Sequence, residues 1–181
     1  MIGPRDPIPL PGGTTAMPYN RADVAMRELI ASFSCLEAAD LVDRLARGAA
    51  AVTGSAYAGF VRVDALRLEA EPIHMHGPAG DPLRVRRWLA ESGVLKELAT
   101  SPAAVRLAHD VTVGEPGFLA APVPLATRDH TFVWVAGRAF GDADEHLLSR
   151  FATAAGRALE AASGLEAAVR LLRGVRAFRP R

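Results

Sequence analysis

Residues 118–125 and 131–138 are two densely apolar segments separated by only 126–130. A connection of about five residues cannot carry the crossover of a dozen or more that parallel strands need, so these segments have to pair as an antiparallel hairpin. A lone hairpin is marginal in water and requires further strands or a covering helix. The rest of the chain is therefore read for what completes such a sheet.

Upstream, Tyr57, Gly59, Val61 and Val63 alternate with Ala58, Phe60 and Arg62. Both faces are largely apolar, which predicts a central strand. A second strand is expected over 66–76, where Leu68, Ala70, Pro72, His74 and His76 share one parity. The run Gly77-Pro78-Ala79-Gly80-Asp81-Pro82 is a loop. Short helical segments follow at 83–91 and 94–100, then a short strand at 104–107 and a loop at 109–117. Pro122 and Pro124 within the segment 118–125 predict an edge or irregular strand.

Helical periodicity frames this set. Val24, Met26, Leu29, Ile30 and Phe33 recur at three- and four-residue intervals, and a second helix is expected over 36–52 before Thr53-Gly54. Asp142 is a candidate cap for a long last helix running past Leu172, with Asp144 and Glu145 in its first turn. The order α-α-β-β-α-α-β-β-β-α implies an α+β fold around an antiparallel sheet.

Composition narrows the function. In 181 residues, 21 basic side chains face 20 acidic ones, for a net charge of +1, which argues against a dedicated nucleic-acid binder. Cys35 is the single cysteine, so the chain holds no internal disulfide and no cysteine-rich metal site. Half the residues are hydrophobic, yet no run of ~18 uncharged apolar residues suggests a membrane span. Residues 1–18 hold five prolines and read as a disordered or extended arm without a signal segment. A cytoplasmic location is expected. The motifs of serine hydrolases, zinc proteases, phosphate-cradling loops and histidine-kinase catalytic domains are all missing, so the chain is not expected to be an enzyme.

Three phrases in order, Ala49-Ala50-Ala51-Val52-Thr53-Gly54-Ser55-Ala56-Tyr57-Ala58-Gly59-Phe60, Phe118-Leu119-Ala120-Ala121-Pro122-Val123 and Phe140-Gly141-Asp142-Ala143-Asp144-Glu145-His146-Leu147-Leu148, resemble those of GAF domains, small-molecule sensory modules related to PAS domains. The resemblance covers residues 24–163, and its flavour is that of actinobacterial sensor kinases. It implies an α+β fold: a central antiparallel sheet of about five to six strands, terminal helices on one face and a short helical insert on the other. It divides the chain into a proline-rich arm (1–20), a sensory domain (21–163) and a helical extension with an arginine-rich end (164–181).

The resemblance also implies places to look for a ligand. Between the sheet and the 83–117 insert, strand parity and insert position suggest Phe60, Arg62, Trp88, Leu98, Phe118 and Trp134 as pocket residues. The cyclic-nucleotide pattern of such domains is half missing: Phe140, Asp144 and Glu145 stand, but the Asn-Lys pair does not. Cys35 lies away from where bilin attachment needs a thiol, and one cysteine cannot complete the cycle of the methionine sulfoxide reductases of similar fold. Haem-carrying dormancy sensors use a histidine in the loop before the Phe118 strand. Here the segment is short and its histidine, His109, comes early in an expected exposed turn. His74 and His76 share one strand face at a spacing that suits two metal ligands, with no pattern for a third. The cofactor is therefore left unknown, with His74, His76 and His109 as haem or metal candidates.

The last helix points to a partner. Leu148, Phe151, Ala155, Ala158, Ala162, Leu165, Val169 and Leu172 hold every a and d position of three and a half heptads. The first half can serve the domain core, and the half beyond Gly164 needs something to cover it. A homodimer through the terminal helices is expected, the alternative being that Ser163-Gly164 breaks the helix. Beyond Glu166, Arg170, Arg173, Arg176, Arg179 and Arg181 form a run without an acid. The overall expectation is a sensory domain acting through a small ligand, a homodimer or a signalling-protein partner. A ligand-free scaffold and a haem or metal sensor are the alternatives.

Overall fold

Helix α1, Ala38–Thr53, presents Ala46, Ala49 and Ala50 as a smooth buried stripe. It ends where Gly54 turns left-handed at φ 63°, with Ser55 N–H donating to Ala50 O at 3.0 Å and Gly54 N–H to Ala51 O at 3.3 Å. This two-bond stop satisfies the last carbonyls and delivers the chain directly into the sheet. The computed structural model describes residues 38–64, 66–110, 112–126 and 130–177. The proline-rich arm, the helix expected over 24–33, Cys35 and the arginine side chains of the C-terminal end lie outside the described residues.

Strand β1 (Tyr57–Asp64) and β2 (Glu69–His76) form a hairpin, its turn held by Leu66 and Arg67 N–H donating to Asp64 Oδ1 at 3.0 and 3.1 Å. The insert helices α2 (Val85–Glu91) and α3 (Val94–Thr100) follow, then β3 (Val105–Asp110), β4 (Glu115–Val123), β5 (His130–Ala136) and α4 (Asp142–Ala177). The five strands pair antiparallel in the order β2-β1-β5-β4-β3. The class is α+β, and β1 lies inside the sheet as its two apolar faces require.

Each face of the sheet is covered by one helical layer. Tyr57, Val61, Phe118, Phe132 and Trp134 pack with Val85, Leu89, Val94 and Leu98 of the insert. Ala58, Phe60, Leu119, Val133 and Val135 pack with Ala46 and Ala49 of α1 and Leu148 and Ala152 of α4. Small residues let α4 lie close: a Cβ on Gly156 would collide with Pro124 O.

Several expectations are corrected. Strand β4 is interior although Pro122 lies within it, and Pro124, the other proline of that expectation, falls just past its end at Val123. Pro116 pairs with β3 beyond the end of β5, and Pro122 pairs with β5 beyond the end of β3. The loop expected at 109–117 is mostly strand, since β3 continues to Asp110 and β4 starts at Glu115. Gly141 rather than Asp142 occupies the cap of α4, with its carbonyl accepting from Asp144 and Glu145 N–H at 3.1 Å and its own N–H donating to Asp144 Oδ2 at 2.9 Å. Asp142 instead pairs with Arg106 at 2.6 Å. Helix α4 runs unbroken through Gly164 for 36 residues, some ~54 Å at 1.5 Å per residue.

Candidate functional site

The insert is anchored at two points. At its start, Asp81 accepts from Val85 N–H at 2.8 Å and Arg86 N–H at 3.0 Å, supplying the first turn of α2 with its missing acceptors. The Tyr57 hydroxyl accepts from Leu83 N–H at 3.2 Å, and burial pushes its pKa up, with the nearby Asp81 carboxylate adding to the shift. Farther along, Trp88 Nε1 donates to Glu115 Oε2 at 2.9 Å, tying α2 to the β3–β4 hairpin. Beneath it lies an aromatic stack, with Trp88–Phe118 ring centroids at 5.4 Å and Phe118–Trp134 at 5.9 Å.

The six pocket residues expected from sequence do not form one group. Trp88, Leu98, Phe118 and Trp134 gather on the insert side, where the last three are fully buried and pack as core. Phe60 faces the other way, into the layer of α1 and α4. Arg62 is exposed and pairs with Glu71 across the β1–β2 ladder at 3.0 Å. Both faces of β1 are apolar, so parity alone does not tell which one meets the insert.

The histidines are likewise separated. His74 and His76 are on β2 and His109 on β3, the two opposite edges of the sheet. Four strand spacings of ~4.8 Å keep them some 19 Å apart, too far to share an ion. Among the described residues no group of three His, Cys, Asp or Glu side chains could hold a metal ion. His109 is not in an exposed turn; it pairs with Pro116 within the ladder, half-buried, its Nδ1 buried without a partner. His74 Nε2 stands 3.2 Å from Asp43 Oδ1 of α1, near enough for an ion pair but not aligned as a hydrogen bond. The buried indole N–H of Trp134 has no partner either.

Of the expected dimer residues, Leu148 and Ala155 are wholly buried within the chain's own core and Phe151 packs against it. Ala158 and Ala162 are half-buried, and the side chains of Leu165, Val169 and Leu172 lie outside the described residues.

Two features had no signal in the sequence. A groove of about 560 Å³ runs between β2 and the insert, lined by Ile73, Met75, Leu89, Ala90 and Leu95 with Arg86 on its rim. On the other side of the molecule Arg138, just past β5, donates to the Thr53 carbonyl at the end of α1 (Nε at 3.1 Å), pairs with Asp144 of α4 and covers the Phe140 ring at 4.5 Å. That contact, then the Gly141 N–H, holds the Asp144 carboxyl below the usual carboxylate range. One side chain thus joins the sheet to both helices of its far face.

One antiparallel sheet with paired long helices on one face and a two-helix insert on the other is the architecture of small sensory modules of the GAF fold. It is shared with a GAF domain of Synechocystis sp. PCC6803 solved in its photoproduct state, at 14% identity and a TM-score of 0.54, covering 72% of this chain and 98% of that one. The GAF domain of an Acinetobacter phosphoenolpyruvate-protein phosphotransferase is similar at 16% identity and a TM-score of 0.50, over 82% of this chain and 97% of that one. The sequence itself matches no family model and no curated protein. No helix among the described residues is long and apolar enough to cross a membrane.

Proposed function

We propose that this chain is a non-enzymatic sensory or regulatory domain of cytoplasmic signal transduction, which takes a small molecule on its insert side and passes the result to its terminal helices. The observation that carries this reading is the Arg138 junction. The sheet that forms the floor of the insert side is fastened through one guanidinium to the end of α1 and the start of α4. A ligand that changes the strand ends has a direct mechanical route to both helices, provided it binds their two arrangements with different affinity. The partner of those helices is a second copy of the chain, since the apolar stripe of α4 continues beyond the point where the core ends. Fold likeness alone does not deliver a function, so the reading stands on these contacts.

The filled centre of the insert side favours a second reading. Phe118, Trp134 and Leu98 occupy the space next to the sheet, as a scaffold that binds no small molecule would require. Sedimentation and native mass spectrometry of the intact chain separate the two. The sensory reading expects a dimer at micromolar concentration whose stoichiometry or hydrodynamic shape responds to a bound small molecule. A monomer that carries no ligand and shows no thermal shift with any metabolite refutes it in favour of the scaffold.

A further inference from the structure

The groove between β2 and the insert is open, unlike the filled centre of that face where Phe118 and Trp134 pack. Its depth comes from a β-bulge: Phe60 pairs with His74 and Val61 with Pro72, so Ile73 is an extra residue with no partner on β1. A bulge bends the strand and re-aims the side chain it displaces. Ile73 is accordingly 46% exposed and lines the groove. From the opposite wall, Arg86, Leu89 and Ala90 are spaced three and four residues apart on α2 and share one helix face. Leu95 of α3 and Pro72 and Met75 of β2 extend this apolar surface, and His74 also borders the groove.

Arg86 is the only arginine, lysine or carboxylate residue on this lining. Among the described residues it makes no ion pair, whereas the next residue, Arg87, is paired with Glu91 at 3.0 Å. A guanidinium is a planar fork of donors that matches a carboxylate in two parallel hydrogen bonds. Beside it the groove offers thioether and aliphatic carbon, and its volume lies within the ~300–1,000 Å³ range of small-molecule sites. We propose that this groove binds a monoanionic organic acid with an apolar body, its carboxylate on Arg86 and its hydrocarbon between Ile73, Met75, Leu89 and Leu95. The inference rests on the sensory reading above and names the ligand class that reading leaves open. It also moves the ligand from the sheet centre, where Trp134 and Phe118 already fill the space, to the β2 edge. An arginine with one carboxylate partner discriminates against the corresponding alcohol, and the single charge excludes polyanions such as nucleotides from full engagement.

The test uses the intact chain with 4-phenylbutanoate as the acid and 4-phenylbutanol as its neutral counterpart. Binding is followed by amide NMR shifts. The acid is expected to shift Ile73, Leu89, Ala90 and Leu95, and to bind at least tenfold more tightly than the alcohol. Arg86→Gln, at an exposed position, should remove that preference, and Ala90→Leu, which fills the groove without touching the core, should abolish binding of both. Equal binding of acid and alcohol, an unchanged affinity in Arg86→Gln, or shifts located elsewhere overturns the proposal. Sedimentation of the same samples keeps the two readings apart. Groove binding that leaves the hydrodynamics unchanged upholds the acid site and refutes the sensory relay. A hydrodynamic response to a neutral co-purified molecule, with none to the acid, upholds the relay and refutes the acid site.

Discussion

Replacing Arg138 by Met keeps the aliphatic stem and removes the guanidinium. The side chain is about one-third exposed and its partner Asp144 less so, so the ion pair is worth only the ~0.2–1 kcal/mol of a solvent-screened pair. The donation to the Thr53 carbonyl is different, because Thr53 is buried at the end of α1 and its carbonyl has no successor in the helix to bond. A hydrogen bond from a charged donor contributes about 1.5–3 kcal/mol, and the contact over Phe140 adds about 0.5–1 kcal/mol. Screening places the sum near 2–3 kcal/mol, which urea unfolding at pH 7 measures as a lower midpoint with an unchanged slope. The pH dependence provides an internal check. The carboxyl of Asp144 titrates below its usual value in the folded protein, so its share of stability is complete above the unfolded value of ~3.9 and is lost as pH falls through the lower folded value. In Arg138→Met the carboxyl returns toward its ordinary range. The difference between the two proteins should therefore be largest at neutral pH and shrink below about pH 4, without vanishing, because the bond to Thr53 does not titrate. A loss under ~1 kcal/mol at pH 7, or a difference that grows in acid, would refute the assignment of Arg138 as the junction of sheet and helices.

Two glycines with opposite surroundings give further checks. A Cβ at Gly59 would collide with the His74 carbonyl and lie 2.6 Å from Trp134 Cζ2, so Gly59→Ala should cost at least the ~1–3 kcal/mol of overpacking, read by thermal or urea unfolding; a neutral variant would mean the indole does not lie across β1. At Gly164 nothing lies within 4 Å, and the helix is regular on both sides, so Gly164→Ala should stabilise by about 0.5–1 kcal/mol and raise helix content by circular dichroism; a loss of stability would indicate a packed partner or a break at that point.

The strands, the insert and the long last helix were legible in the sequence because β1 alternates with a period of two, α1 and α4 carry a period of three to four, and β4 and β5 are dense apolar runs joined by a short connection. The misjudged positions depend on where neighbouring strands end. Pro122 looks like an edge residue because proline cannot donate to a ladder, yet it sits where β3 has run out, and residues 118–120 beside it are paired on both sides. His109 looks like a turn residue because the signals after it, from Asp110 to Gly117, are turn-like; only the register with Pro116 draws it into the ladder. Of the candidate site residues, Trp88, Leu98, Phe118 and Trp134 lie on the insert side, whereas Phe60 lies on the opposite face. Strand β1 is apolar on both faces, and nothing in its alternation says which face the insert covers. Arg138 was unreadable for a different reason. Its acceptor is a carbonyl 85 residues earlier, and a backbone oxygen leaves no residue-type signal.

The indole of Trp134 allows the packing of the insert side to be weighed directly. Its N–H is buried without an acceptor, in a predominantly apolar cluster. An unpaired buried donor costs about 1–3 kcal/mol, so the residue stays in place through the contacts of its rings, with Phe118 on one side and Gly59 beneath. Trp134→Phe removes the donor together with on the order of 40 Å³ of ring, and a cavity of that size costs about 1 kcal/mol at ~24 cal/mol per Å³. The two terms oppose one another, and the variant should unfold within ~1 kcal/mol of the parent, whereas Trp134→Ala, which keeps neither ring, should lose ~3–5 kcal/mol. Urea unfolding followed by far-ultraviolet circular dichroism measures all three proteins without relying on the fluorescence that the substitution changes. If Trp134→Phe lost as much as the alanine variant, the N–H would have to be donating to a bound acceptor. The centre of the insert side would then be a ligand site rather than filled core, and the argument that places the organic acid at the β2 edge would fail with it.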